Sequence, residues 1–220
     1  MADYVLIHGG NMTTVTWNRL TTGSPIQTPD GTMGGRIWDP VRPVLEGAGH
    51  RVFAPTLADE HTTTLTGHIG EIEKIITDHD LQDVVLVGHS YGGMIITGIA
   101  ARMADRVRHL VYIDAALPDP GQSLFDIIMS TGFDPQSFAV LDAAPPYVEK
   151  LSFDPAAIQS LPKTYVRCTE SDFTSVTDLA RQKIAAAGAG WIYLELPSSH
   201  VPMAGMPDRI GQILLDAARK

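Results

Sequence analysis

The sequence predicts an α/β fold, a mostly parallel six-stranded sheet with helices on both faces. Two observations carry this. Short apolar, β-rich runs alternate with helical patterns along the chain, and one of them, Val84–Val87, lacks the polar alternation of a half-solvated strand. A third bounds the size: 220 residues, 44% of them hydrophobic and 19% charged, suffice for one domain with a sizeable core.

The expected strands are Tyr4–Ile7, Val52–Ala54, Val84–Val87, Leu110–Ile113, Tyr165–Val166 and Trp191–Leu196. Val84–Val87 is apolar throughout, as a strand buried on both faces should be. Between them, Leu65, Ile69, Ile72, Ile75 and Ile76 recur at helical spacing and make one buried stripe. Met94–Met103, rich in apolar and small residues, suits a buried central helix. Asp208–Ala218 follows Pro207, a favoured first-turn residue. Two stretches break the alternation. Residues 22–35, rich in Thr, Gly and Pro, read as a long loop. Residues 117–162 are too long for an ordinary connection and read as a small helical cap inserted in a single domain spanning 1–220.

Composition excludes several functions. The net charge of −9 argues against nucleic acid, which needs clustered Lys and Arg. No apolar run approaches the roughly 18 residues of a membrane helix, so no membrane partner is expected. The opening Met1-Ala2-Asp3 does not read as a signal peptide, and Cys168 alone forms no internal disulfide; both favour a cytoplasmic setting. Asp78-His79-Asp80 lacks metal-ligand spacing, so neither metal nor cofactor is expected. A homodimer is left open.

The chemistry concentrates in Gly88-His89-Ser90-Tyr91-Gly92. This Gly-x-Ser-x-Gly follows an expected strand and opens an expected helix, the context a nucleophile elbow requires. Ser90 is therefore the candidate nucleophile. Its glycines avoid collisions with the neighbouring strand and helix. Acyl transfer needs two donors for the oxyanion. The N–H of Tyr91, after the nucleophile, and that of Gly10, in His8-Gly9-Gly10 after the first strand, are the candidates. His8 reads as a residue that holds this loop. The base should come last in the chain, and His200, after the final strand, fits.

With these residues placed, the chain resembles the esterase and hydroxynitrile lyase branch of the α/β-hydrolase superfamily. The likeness rests on Val5-Leu6-Ile7-His8-Gly9-Gly10, Trp38 through Val52, Val85 through Met94, Tyr165-Val166-Arg167-Cys168-Thr169-Glu170 and the loop carrying His200. It implies a sheet without the superfamily's first two strands. The branch usually places an acid directly after the Cys-Thr-Glu stretch. Here that position is Ser171, with Asp172 one residue later. Asp114, ending the fourth strand, is the preferred acid, because a carboxylate there needs a partner and His200 supplies one. Asp172 is the alternative, and Glu170 the third choice. In the branch's lyases a Thr in the oxyanion loop and a Lys after the histidine matter; here they are Gly9 and Val201, which favours an esterase. The expectation is hydrolysis of small, apolar esters through an acyl-enzyme. The alternatives are a carbon–carbon lyase and a non-catalytic ligand-binding homologue. Phe125, Met129, Phe133, Phe138 and Met203 line an apolar pocket or pack the cap onto the domain.

Overall fold

A computed structural model describes residues 1–137 and 141–219. Its six strands are β1 (Asp3–Ile7), β2 (Arg51–Phe53), β3 (Val84–His89), β4 (Val107–Ile113), β5 (Lys163–Cys168) and β6 (Trp191–Leu196). They form one sheet in the order β2-β1-β3-β4-β5-β6, and every neighbouring pair is parallel. The helices are α1 (Thr14–Leu20), α2 (Arg42–Gly47), α3 (Leu65–Asp78), α4 (Gly92–Arg102), α5 (Leu124–Ser130), α6 (Pro145–Val148), α7 (Ala156–Gln159), α8 (Thr174–Ala187), α9 (Pro202–Gly205) and α10 (Pro207–Ala217).

Strand side chains alternate between two cores, as the pleat demands. Val5, Ile7, Val84 and Leu86 pack with α3, α4 and α8 on one face, through Ile69, Ile72, Ile95, Ile99 and Val176. Tyr4, Leu6, Val85 and Val87 pack with α1, α2 and α10 on the other, through Trp17, Leu45, Ile210 and Leu214. Burying a side chain of this size stabilises by about 1.5–3 kcal/mol relative to exposure, so a two-faced sheet supports a domain without disulfides.

The stripe expected around Leu65–Ile76 is α3, capped by Thr64, whose side chain accepts from the Gly67 N–H. The 22–35 loop is interrupted by a 3-10 turn at Gly34–Trp38 and tied at Thr32 to Thr13 by an antiparallel bridge. Among its described residues, the segment between β4 and β5 carries short helices, α5 to α7, and a 3-10 turn at Pro135–Ser137. Of the apolar residues singled out there, Phe125 is buried, whereas Met129 and Phe133 are about half exposed. Phe138 lies outside the described residues. Met203, in α9, is fully buried.

A parallel sheet collects the residues that follow its strands along one edge. That edge receives Gly9 and Gly10 after β1, Ser90 after β3, Asp114 after β4, Ser171 after β5 and His200 after β6.

Candidate active site

The elbow is built by close backbone approach. Ser90 sits at φ +55°, a left-handed conformation that side chains favour little. It is fixed on both sides: its N–H donates to Ile113 O (3.2 Å), and its carbonyl accepts from Gly93 (3.1 Å) and Ala116 (3.0 Å). A Cβ on Gly88 would collide with the Gly92 backbone, and one on Gly93 with the Ala116 carbonyl. The turn is thus sterically closed to other residues, and α4 starts immediately beyond it.

Asp114 also stands in the left-handed region, at φ +44°, which turns its carboxylate back across the strand ends. The residue is fully buried. Its Oδ1 accepts the Cys168 N–H at 2.9 Å, and its Oδ2 accepts from His200 Nδ1 at 2.7 Å. A carboxylate acceptor fixes the tautomer, with the proton on Nδ1 and the lone pair on Nε2. Burial and the Asp114 charge push the Cys168 thiol well above its ordinary range, so it remains a thiol.

Asp172, the alternative acid, is exposed, as is Glu170. In that loop it is Ser171 that bonds toward the imidazole: its Oγ lies 3.4 Å from His200 Nδ1 and accepts the Phe173 N–H at 3.0 Å. Phe173 packs on the imidazole at 5.1 Å.

His89 holds His200 from the other side. Its Nε2–H donates to the His200 carbonyl at 2.7 Å, and the two rings lie 4.6 Å apart. Its buried Nδ1 finds no hydrogen-bond partner among the described residues. Burial, reinforced by His200 nearby, drives the His89 pKa well below the ordinary histidine value, so the ring stays neutral.

His8 Nδ1–H donates to Gly9 O at 2.7 Å, and its Nε2 accepts the Leu57 N–H at 3.0 Å. Burial lowers its pKa to about 4. In a trans peptide the C=O and the following N–H point oppositely. Gripping the Gly9 carbonyl therefore also orients the Gly10 N–H. Tyr91, the other candidate donor, is anchored through its side chain, whose hydroxyl donates to His68 Nδ1 at 3.0 Å. His68 Nε2–H in turn donates to Ala58 O. The supporting roles of His89, His68 and Ser171 were not legible in the sequence; each depends on a contact across elements.

Residues 4–138 match the model of the alpha/beta hydrolase family. Among curated proteins, a carbendazim-hydrolysing esterase of Nocardioides is 38% identical over 137 residues, 58% of this chain and 48% of that protein. A pyrethroid hydrolase of Sphingobium wenxiniae is 35% identical over 95 residues, 40% of this chain and 34% of that one. The matched stretches thus span half or less of these relatives. Among solved structures, a pyrethroid hydrolase from Sphingobium faniae has a TM-score of 0.74 at 20% identity, covering 99% of this chain and 97% of that one. An extracellular α/β-hydrolase from a Paenibacillus species has a TM-score of 0.72 at 20% identity, with both chains fully covered. Likeness at that identity speaks for the fold alone.

Proposed function

The chain belongs to the alpha/beta hydrolase family, and from that premise we propose that it is a serine-dependent esterase acting on small carboxylic esters. The observation that carries this reading is the His200 Nδ1–Asp114 Oδ2 hydrogen bond at 2.7 Å, beside a strained serine elbow on the same sheet edge.

In the proposed cycle, Ser90 Oγ attacks the ester carbonyl while His200 Nε2 takes its proton. Asp114 stabilises the imidazolium without accepting that proton. The N–H groups of Gly10 and Tyr91 hold the tetrahedral oxygen. His200 then protonates the leaving alcohol, and the acyl group stays on Ser90. Water, deprotonated by His200, attacks the acyl carbon, and collapse releases the acid and restores the serine. Relatives named as esterases and hydrolases support ester chemistry.

The lyase alternative is disfavoured by packing. A Cβ on Gly9 would lie 2.9 Å from Ser90 Cβ and 3.0 Å from His89 Nδ1. A threonine there would have to displace the elbow. One relative is nevertheless an Arabidopsis α-hydroxynitrile lyase, 34% identical over 95 residues.

Replacing Ser90 with alanine tests the reading. Hydrolysis of p-nitrophenyl acetate and labelling by a fluorophosphonate are both expected to vanish. Hydrolysis that survives in Ser90→Ala overturns the assignment, and cyanide release from mandelonitrile by the wild type would move it to the lyases.

A further inference from the structure

A cluster that the proposed cycle does not use lies against the oxyanion loop. Tyr147, on α6 of the segment between β4 and β5, is fully buried. Its hydroxyl donates to Glu60 Oε2 at 2.6 Å. The Asn11 N–H donates to the Tyr147 oxygen and to Glu60 Oε2, each at 2.9 Å. Asn11 stands at φ +43°, so the loop turns sharply there. A Cβ on Gly10 would overlap the Tyr147 hydroxyl. The hydroxyl therefore rests directly on Gly10, and only a glycine admits it. The Tyr147 ring also meets the Tyr91 ring edge-on at 5.1 Å. Tyr147 thus touches both residues whose N–H groups are the candidate oxyanion donors.

We propose that Tyr147 and Glu60 are positioning residues that set the oxyanion hole from outside it, and this rests on the esterase reading above. The peptide planes on the two sides of Gly10 are pinned separately. The Gly9–Gly10 plane is held at its carbonyl by His8. The Gly10–Asn11 plane is held at its N–H by Tyr147 and Glu60. With both planes fixed, the Gly10 N–H has one direction. A preorganised donor stabilises a transition state without reorganising when charge develops, whereas a mobile one does not. The Tyr147 hydroxyl accepts from Asn11 and donates to Glu60, and burial beside the Glu60 charge keeps it protonated. Its one proton is committed to Glu60 and its oxygen accepts from Asn11, which makes it a support and not a proton donor to substrate.

The clamp also joins separate parts of the chain. The segment from Asp59 to Thr66 is fastened to the β4–β5 segment by side-chain pairs, among them Glu60 with Tyr147, His61 with Asp142 at 2.9 Å, and Thr66 with Glu149 at 2.6 Å. Of these, Glu60 with Tyr147 alone also bonds the oxyanion loop.

The test is Tyr147→Phe, which keeps the ring against Tyr91 and removes the hydroxyl. On p-nitrophenyl acetate kcat should fall about tenfold or more, a part of the 10²–10³ that losing a whole donor brings. KM should stay within twofold. Inhibition by a trifluoromethyl ketone, which forms a tetrahedral adduct with the serine, should weaken by the same factor as kcat/KM. Glu60→Gln retains an oxygen that accepts from both partners and should stay within about threefold of wild type. Glu60→Ala should match Tyr147→Phe. A Tyr147→Phe protein with wild-type kcat overturns the clamp. So does a loss that follows the unfolded fraction in a thermal melt, or one that appears equally in KM and leaves ketone affinity unchanged. Hydrolysis that persists in Ser90→Ala overturns both the clamp and the esterase reading. Wild-type turnover in Tyr147→Phe alongside a dead Ser90→Ala overturns the clamp alone.

Discussion

His200 and Asp114 meet through a 2.7 Å Nδ1–Oδ2 hydrogen bond, although 86 residues separate them in the chain. Asp114 Oδ1 is held by the Cys168 N–H, so the carboxylate cannot turn away. Asp114→Asn replaces an acceptor with an amide that can present a donor to Nδ1 and select the wrong tautomer. Turnover of p-nitrophenyl acetate should fall about 10³–10⁴-fold with the fold retained. Asp172 is exposed, and Asp172→Asn should leave kcat within twofold. The reverse ranking would reassign the acid.

Ser171 permits a stricter test. Its Oγ lies 3.4 Å from the same Nδ1, so a carboxylate at this position can reach the imidazole. The double variant Asp114→Asn/Ser171→Asp should recover at least tenfold over Asp114→Asn alone. Asp at 171 can still accept the Phe173 N–H that Ser171 accepts now. A double variant no faster than the single one would mean that the strand end at 168–171 cannot aim a carboxylate at His200. Adding Ser171→Asp to the wild type crowds two carboxylates, and like charges push one pKa up. Its kcat should therefore become more dependent on pH between 5 and 7.

What the sequence made legible follows from local physics. The inner strands β1, β3, β4 and β5 were readable because burial on both faces demands apolar runs, the part-exposed edge strands β2 and β6 only as short β-rich runs, and the elbow because its turn demands glycines at fixed spacing. Helix α8 was missed: its buried residues are Val176, Thr177, Ala180 and Ile184, a stripe too sparse and polar to declare a period. Helix α1 was missed because Thr14, Val15 and Thr16 favour strands by propensity. Its cap, the Thr13 side chain accepting from Thr16, decides otherwise. The acid stayed open between Asp114 and Asp172 because the sequence does not show that Asp114 turns at φ +44°. Glu60 and Tyr147, 87 residues apart, belong to no motif and are visible only once α6 packs on the oxyanion loop.

Strain at the elbow can be separated from chemistry. Ser90→Ala and Ser90→Gly both lack the hydroxyl, but only glycine accepts φ +55° without penalty. The glycine variant should be the more stable of the two by about 1 kcal/mol, after its greater unfolded-state entropy is counted. In a domain of this size that is about 2–4 °C in Tm. Equal melting temperatures for two inactive variants would show that the elbow stores no strain.

His8 should make stability depend on pH, with a definite sign. Burial lowers its pKa from 6.5 to about 4 in the folded protein, while the unfolded chain keeps the ordinary value. Between these values the unfolded state binds more protons, so stability rises with pH across the window. The contribution is complete above about pH 6.5 and is lost as pH falls toward 4. At 1.36 kcal/mol per unit, the shift corresponds to about 3 kcal/mol. His89, also held neutral by burial, adds a slope of the same sign, so the wild-type curve alone cannot assign it. The measurement is urea unfolding of wild type and His8→Gln at pH 7, 6 and 5. Wild type should be clearly more stable at pH 7, and the gap should narrow with each step down, because glutamine does not titrate. A gap that stays constant from pH 7 to 5 would mean that His8 titrates alike in both states. Its imidazole would then be open to water, and its grip on the Gly9 carbonyl too loose to aim the Gly10 N–H.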